Sequence, residues 1–160
     1  MTSSPVAFYA ALALAAGAFI PAMAALSGAM GRALGSPWNA SVIVITGAFL
    51  MVLSYAALNG GLKFAPDTFA RVTPLQVLSG FAMAFYVCAI TYLAPRFGVG
   101  NAVMLVVAAQ IASSAAIDHF GLFGAPQKPI DLMRAAGLAI MVVGVVIAQY
   151  AANNARQVAH

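Results

Sequence analysis

The chain has 160 residues, of which 64% are hydrophobic and only 6% are charged. A soluble domain carries about 25% charged residues, so this composition excludes a water-soluble globular protein. The net charge of +4 comes from seven basic and three acidic residues, and the basic residues are scattered along the chain, which excludes a nucleic-acid-binding patch. One cysteine, Cys88, excludes an intrachain disulfide framework.

Ten charged side chains divide the chain into five long uncharged stretches. A membrane-spanning helix needs about 20 apolar residues, and a charge at the bilayer centre costs at least about 2.5–3.5 kcal/mol on insertion scales. Charges therefore mark the connections, and turns rich in Gly and Pro fall at the same places. The sequence predicts an all-α integral membrane protein, a single transmembrane domain over residues 1–160, with helices over roughly 6–29, 40–60, 74–94, 100–120 and 132–152.

Helix one carries Gly17 and Pro21 near its middle. A proline inside a helix removes one backbone hydrogen bond and can kink it. The pair is interpreted either as a flexing point for alternating access or as a fixed packing kink. The Ala22-Met23-Ala24 triplet resembles a signal-peptidase site, but no Lys or Arg precedes it, so we interpret the segment as a transmembrane helix.

Helices two and three each carry polar side chains. Tyr55 and Asn59 are four residues apart near the end of helix two, and Gln76 and Tyr86 belong to a polar stripe on helix three. Polar groups in a bilayer seek partners on other helices, so they either line a solute cavity or hold helices together. Trp38, at the start of helix two, suits the membrane interface or the rim of a cavity that stacks on a cationic or aromatic solute.

Helix four has the most informative pattern. Gln110, Ser114 and Asp118 repeat at i, i+4 and i+8 and share one face. An ionisable residue within or at the edge of the membrane is a functional hypothesis by default. Burial disfavours the charged form of a carboxyl group, which favours proton exchange near neutral pH. The alternative is an interfacial Asp118 that pairs with an arginine or lysine.

Helix five is almost devoid of polar groups, and Gly137, Gly144 and Ala148 lie along one of its faces. Small residues four apart allow two helix backbones to approach closely. We interpret this face as a dimer interface, and packing within the chain is the alternative.

The distribution of the basic residues hardly determines the orientation of the chain in the membrane. Five spans place the termini on opposite sides, with four basic residues on one side and three on the other: Lys63, Arg71, Lys128 and Arg134 against Arg32, Arg96 and Arg156. Positive charge normally collects on the cytoplasmic side. The near balance supports the hypothesis that the chain inserts both ways up and forms an antiparallel homodimer. A single orientation with the N-terminus inside is the alternative.

Three blocks of sequence carry a family resemblance: Gly31–Pro37, Leu93–Gly98 and Asp118–Gly124. They resemble the YdcZ-like branch of the drug/metabolite transporter superfamily, five-span proteins of the bacterial inner membrane. The last two helices are also similar to the end of small multidrug resistance transporters. Those transporters use a glutamate on their first helix, whereas this first helix has no carboxylate.

The resemblance implies an inner-membrane transporter or exporter of a small organic molecule such as a drug, an amphipathic cation or a metabolite. Combined with the helix patterns, it predicts alternating access in a ten-helix homodimer, with proton coupling through Asp118. A non-transporting membrane subunit that assembles with another membrane protein is the alternative. No nucleophile with a nearby base and no metal cluster is present in the sequence, so we expect no enzyme activity, no metal and no cofactor.

Overall fold

A computed structural model describes residues 5–61 and 70–158, and within them the regular structure is entirely helical. The helices are α1 (Pro5–Ala33), α2 (Pro37–Leu58), α3 (Pro74–Phe97), α4 (Val99–Phe120) and α5 (Leu132–Val158), with a 3-10 turn over Leu122–Gly124. All five long helices are apolar enough to cross a membrane. The shortest, of 22 residues, measures about 33 Å and matches a hydrocarbon core of about 30 Å. The prediction of five transmembrane helices is confirmed.

Local sequence signals fix the starts of α2 and α3. The Ser36 side chain accepts a hydrogen bond from the Asn39 N–H at 3.3 Å, and Pro37 occupies the first turn of α2. Thr73 and Gln76 form a capping box at α3, in which the Gln76 side chain accepts from the Thr73 N–H at 2.9 Å. Such caps satisfy N–H groups that have no partner inside the helix.

Three helices extend further than the charge pattern predicts, and the fifth helix, predicted to end near residue 152, ends at Val158. The first continues through Arg32 to Ala33, and the third continues through Pro95 and Arg96 to Phe97. Arginine in a last turn stabilises the negative end of the helix dipole, and its long stem lets the guanidinium reach the headgroup level. These charges therefore lie on helix ends rather than in loops. The predicted turn containing Lys63 and Asp67 lies outside the described residues.

The first of two compact units spans residues 1–99. Its helices α1, α2 and α3 pack against one another in all three pairings. The buried faces use small side chains, since Ala24 and Ala40 are fully buried. Gly28 allows the closest approach, because a Cβ there would lie 3.1 Å from Pro95 Cδ. Small residues at such contacts are typical of membrane helices.

Polar groups buried in this unit bond within their own helices. The Ser27 hydroxyl donates to the Ala24 carbonyl at 3.3 Å, and the Ser41 hydroxyl donates to the Pro37 carbonyl at 2.9 Å. Both serines are 1% exposed. Back-bonding of this kind satisfies a hydroxyl where water is absent.

The second unit spans residues 100–160 and contains most of α4, the 3-10 turn and α5. The Gln149 amide of α5 donates to the Asn101 carbonyl of α4 at 3.1 Å. Large apolar side chains are exposed along both helices, among them Leu105, Ile111, Ile140 and Ile147. Such surfaces suit contact with lipid tails or with another protein helix, but not contact with water.

Candidate functional site

A cavity of about 340 Å³ lies in the first unit, where α1 and α3 end and α2 begins. Its volume falls in the range of small-molecule sites, about 300–1,000 Å³. Seven residues line it: Gly31, Arg32, Gly35, Pro37, Thr91, Pro95 and Arg96. Two of the seven are cationic, and most of the others are glycine or proline, so backbone forms much of the wall.

Gly31 brings the three helices together at this cavity. A Cβ at Gly31 would lie 3.3 Å from Pro37 Cα and 3.7 Å from Thr91 Cγ2. The first distance is tighter than an ordinary contact, so a larger residue would push α2 away from α1. The glycine therefore sets the spacing of the walls around both arginines.

Neighbouring aromatic residues hold Arg96 in place. Its Nη1 donates to the Tyr92 carbonyl at 2.9 Å, and its Cζ lies 3.9 Å from the centroid of the Tyr92 ring. Trp38 stacks on the same ring, with the centroids 6.1 Å apart and the planes 16° from parallel. A cation over an aromatic face is attracted by about 0.5–1 kcal/mol at an exposed site. The row Arg96–Tyr92–Trp38 thus fixes one cation beside the cavity.

A polar group without a partner completes the lining. Thr91 is fully buried, yet its Oγ1 makes no hydrogen bond within the described part of the chain. The hydroxyl oxygen has almost no accessible surface, so Thr91 contributes to the wall through packing and not as a donor that opens into the cavity. Arg32 likewise has no ion pair among residues 5–61 and 70–158.

The second feature is a folded connection between α4 and α5. Arg134 Nη2 donates to Asp118 Oδ2 at 2.7 Å, with each side chain about one third exposed (36% and 35%). The Lys128 N–H donates to the Asp118 carbonyl at 2.7 Å. The Ile130 N–H donates to His119 Nδ1 at 3.0 Å. The last turn of α4 therefore holds the connection and the start of α5.

The small-residue face of α5 is open. A Cβ added at Gly137 or Gly144 would have no neighbour within 4 Å, and the residues of its most apolar stretch are not buried. Ala148 of the same face is half-buried, so the open part of the face is the part that contains the two glycines.

Comparison with known families matches residues 8–147 to the family described as "Putative inner membrane exporter, YdcZ". The match covers more than half of the chain. The chain belongs to the YdcZ family. It is a multi-pass protein of the inner membrane, as the charge pattern and the resemblance predicted. The search of curated proteins and the search of solved structures found no match.

The structure does not gather the polar residues predicted for a substrate site in this YdcZ-family chain. On α4, Gln110 is exposed, and the exposed Ser114 hydroxyl donates to the Ile111 carbonyl at 2.9 Å. On α2, Tyr55 is 70% exposed, and the Asn59 amide donates to the Tyr55 carbonyl at 2.8 Å. Their place in a binding site stays a prediction.

The remaining predicted residues have separate surroundings. Gln76 closes the capping box at the start of α3. Tyr86 is half-buried, and its hydroxyl has no hydrogen-bond partner in the described part of the chain. Trp38 lies beside the cavity through its stacking on Tyr92. Helix α1 runs without interruption through Gly17 and Pro21, and their role as a hinge also stays a prediction.

Sequence reasoning did not select Arg32, Thr91 or Arg96 as site residues. One signal was available, since the five-span pattern places both arginines on the same side of the membrane. The buried hydroxyl between them gave no signal, because a single threonine in an apolar run is common in membrane helices.

Proposed function

We propose that this YdcZ-family chain exports a small organic molecule across the inner membrane by alternating access in a homodimer. The family match over residues 8–147, together with five apolar helices, carries the proposal. Transporters of this kind enclose a midplane site between two inverted halves. A five-helix chain can form such halves by pairing two copies in opposite orientations, which gives ten helices.

The open face of α5 supports the homodimer. Gly137, Gly144 and Ala148 follow one face of the helix, and nothing in the described chain covers either glycine. Because small residues favour close helix contacts in lipid, the proposed occupant of this face is α5 of a second copy. The four-to-three distribution of basic residues supports the antiparallel form of the dimer.

Proton coupling through Asp118 is a further part of the proposal. In the structure the carboxylate contacts Arg134 at 2.7 Å. Protonation would break this ion pair, so a cycle that uses Asp118 would also move Arg134 at the start of α5. Coupling and helix movement are linked in this version of the mechanism.

Flux into liposomes that contain the purified protein tests the exporter proposal. Uptake of candidate drugs, amphipathic cations or metabolites above the rate of empty liposomes is the expected result. If none of the compounds moves while the protein co-purifies with another membrane protein, the chain acts instead as a non-transporting subunit.

Asp118→Asn tests the coupling. We expect it to abolish transport or its pH dependence while the dimer persists. Asp131→Asn is the matched control, since it also removes one carboxylate from the same connection. Asp131 Oδ1 accepts from the Arg134 N–H, and asparagine serves this capping role equally well. Unaltered transport and pH profile in Asp118→Asn would exclude Asp118 from the mechanism.

C-terminal reporters that are active on one side of the membrane test the orientation. Comparable activity on both sides is expected for dual insertion. Activity on a single side would exclude the antiparallel dimer and leave a parallel dimer or a partner protein.

A further inference from the structure

We propose that the cavity between the ends of α1 and α3 and the start of α2 binds a phosphate group. This inference concerns a site of the first unit alone and does not depend on the exporter proposal. It rests on the charge of the cavity, on its unpaired N–H donors and on the level in the membrane at which the cavity lies.

The charge of the cavity is uncompensated by described residues. Arg32 and Arg96 both line it. Residues 1–99 contain one acidic side chain, Asp67, which lies outside the described residues. Two cations that share one cavity repel each other, and an anion between them turns this repulsion into attraction.

The donors suit phosphate in number and geometry. A guanidinium presents five N–H donors in a planar fork that matches phosphate oxygens. Arg96 uses one of its N–H groups on the Tyr92 carbonyl, and its Cζ lies 3.9 Å from the centroid of the Tyr92 ring, so its other N–H groups stay available.

The ends of the three helices have opposite effects on an anion in the cavity. The negative ends of α1 and α3 favour arginine in their last turns, which is a sufficient reason for a cation at each position. The positive end of α2 begins at Pro37 in the cavity wall and favours an anion. A bound anion would therefore face two guanidinium groups and one positive helix end.

The level of the cavity in the membrane points to phosphate rather than to another anion. Trp38 and Tyr92 stack beside it, and these two residue types concentrate at the headgroup level of a membrane. Phosphates of phospholipids lie at this level. A volume of about 340 Å³ leaves room for a glycerol unit attached to the phosphate.

Two sources supply this chemistry, an anionic lipid headgroup and a free phosphate ester. Purified full-length protein in a non-ionic detergent is titrated with short-chain phosphatidylglycerol, with the matching diacylglycerol, which lacks the phosphate, and with glycerol phosphate. Native mass spectrometry reads binding. Trp38 is the chain's one tryptophan, and its emission reports whether the bound group lies beside the cavity.

We expect phosphatidylglycerol to bind more tightly than diacylglycerol and to change the Trp38 emission. Competition by glycerol phosphate would identify a free phosphate ester as a ligand, and its absence would restrict the site to lipid. Equal affinity for the two lipids, with no binding of glycerol phosphate, would overturn the proposal.

Variants locate the binding. Arg32→Gln and Arg96→Gln are each expected to weaken phosphatidylglycerol binding about tenfold, the loss of one hydrogen bond to a charged group. Arg71→Gln removes the same charge from an exposed position of the same unit, outside the cavity, and should leave binding unchanged. An equal loss in Arg71→Gln would show unspecific charge attraction and overturn the assignment.

Thr91→Val is a further control in the same wall. Valine keeps the shape of threonine, and the buried hydroxyl makes no bond to other described residues, so thermal stability and phosphatidylglycerol binding should both stay near the wild-type level. Wild-type binding in both Arg32→Gln and Arg96→Gln would remove the phosphate from this cavity.

Discussion

Arg134 donates to Asp118 across 2.7 Å and joins the first turn of α5 to the last turn of α4. The polarity of this pair opposes the helix dipoles. An aspartate at a helix C-terminus and an arginine near a helix N-terminus are each unfavourable alone, so the ion pair compensates for both positions.

Exchange of the two charges therefore should not harm the connection. We expect Arg134→Gln to lower stability, and the double variant with Asp118→Arg and Arg134→Asp to equal or exceed the wild type. Pairs this exposed contribute about 0.2–1 kcal/mol. A double-mutant cycle on unfolding in detergent measures the coupling. A coupling energy of zero would contradict a stabilising role.

His119 fixes the same connection through its ring. The Nδ1 atom accepts from the Ile130 N–H at 3.0 Å. We expect His119→Phe to keep an aromatic ring there and to increase hydrogen exchange at the Ile130 amide severalfold, as the loss of about 1 kcal/mol predicts. Hydrogen-exchange mass spectrometry of this segment reads the effect.

Gln127→Met is the control for that measurement. It removes a different bond of the same loop, from the Gln127 amide to the His119 carbonyl at 3.2 Å. Exchange at Ile130 should stay near the wild-type rate. Equal acceleration in both variants would show general loosening of the loop rather than loss of the His119 acceptor.

The number and order of the helices follow from the sequence because the bilayer excludes charge. Ten charged residues leave room for five apolar spans, and all five are helices. The ends are less predictable. An arginine reaches the headgroups from inside a last turn, so Arg32 and Arg96 extend α1 and α3 beyond the predicted limits.

The candidate sites required information that periodicity lacks. Spacing placed Gln110 and Ser114 on one face of α4, but it does not reveal whether another helix covers that face, and both residues are exposed. The cavity depends on how closely Gly31 lets α1 approach Pro37. The capping role of Gln76 could be predicted, since Thr73 and Gln76 have the spacing of a capping box. The Gln76 side chain forms that capping box at the start of α3.

The contact of α1 with α3 depends on Gly28. A Cβ there would lie 3.1 Å from Pro95 Cδ and 3.3 Å from Ala94 Cβ, both tighter than ordinary contacts. We expect Gly28→Leu to separate the two helices and to destabilise the first unit by about 1–3 kcal/mol. Thermal unfolding in detergent measures this, with Gly47→Leu as the control because Gly47 has no neighbour within 4 Å. Equal stability of the two variants would contradict the close contact.

For Gly144, in the proposed dimer interface on α5, we expect the opposite effect of added bulk on the fold. No atom of the described chain lies within 4 Å of a Cβ built there, so Gly144→Leu should leave the fold of a single chain intact. In the dimer, the leucine would prevent close approach of the two α5 backbones. We expect light scattering in detergent to show a dimer for the wild type and a monomer for Gly144→Leu.

Gly80→Leu on α3 controls for the added bulk, because Gly80 is equally open but lies on a helix outside the proposed interface. It should remain dimeric. A dimer of unchanged mass in Gly144→Leu would show that copies of the chain do not pair through this face of α5. Dissociation of both variants would mean that added bulk on any open helix face disrupts assembly, and the small residues of α5 would then have no special role.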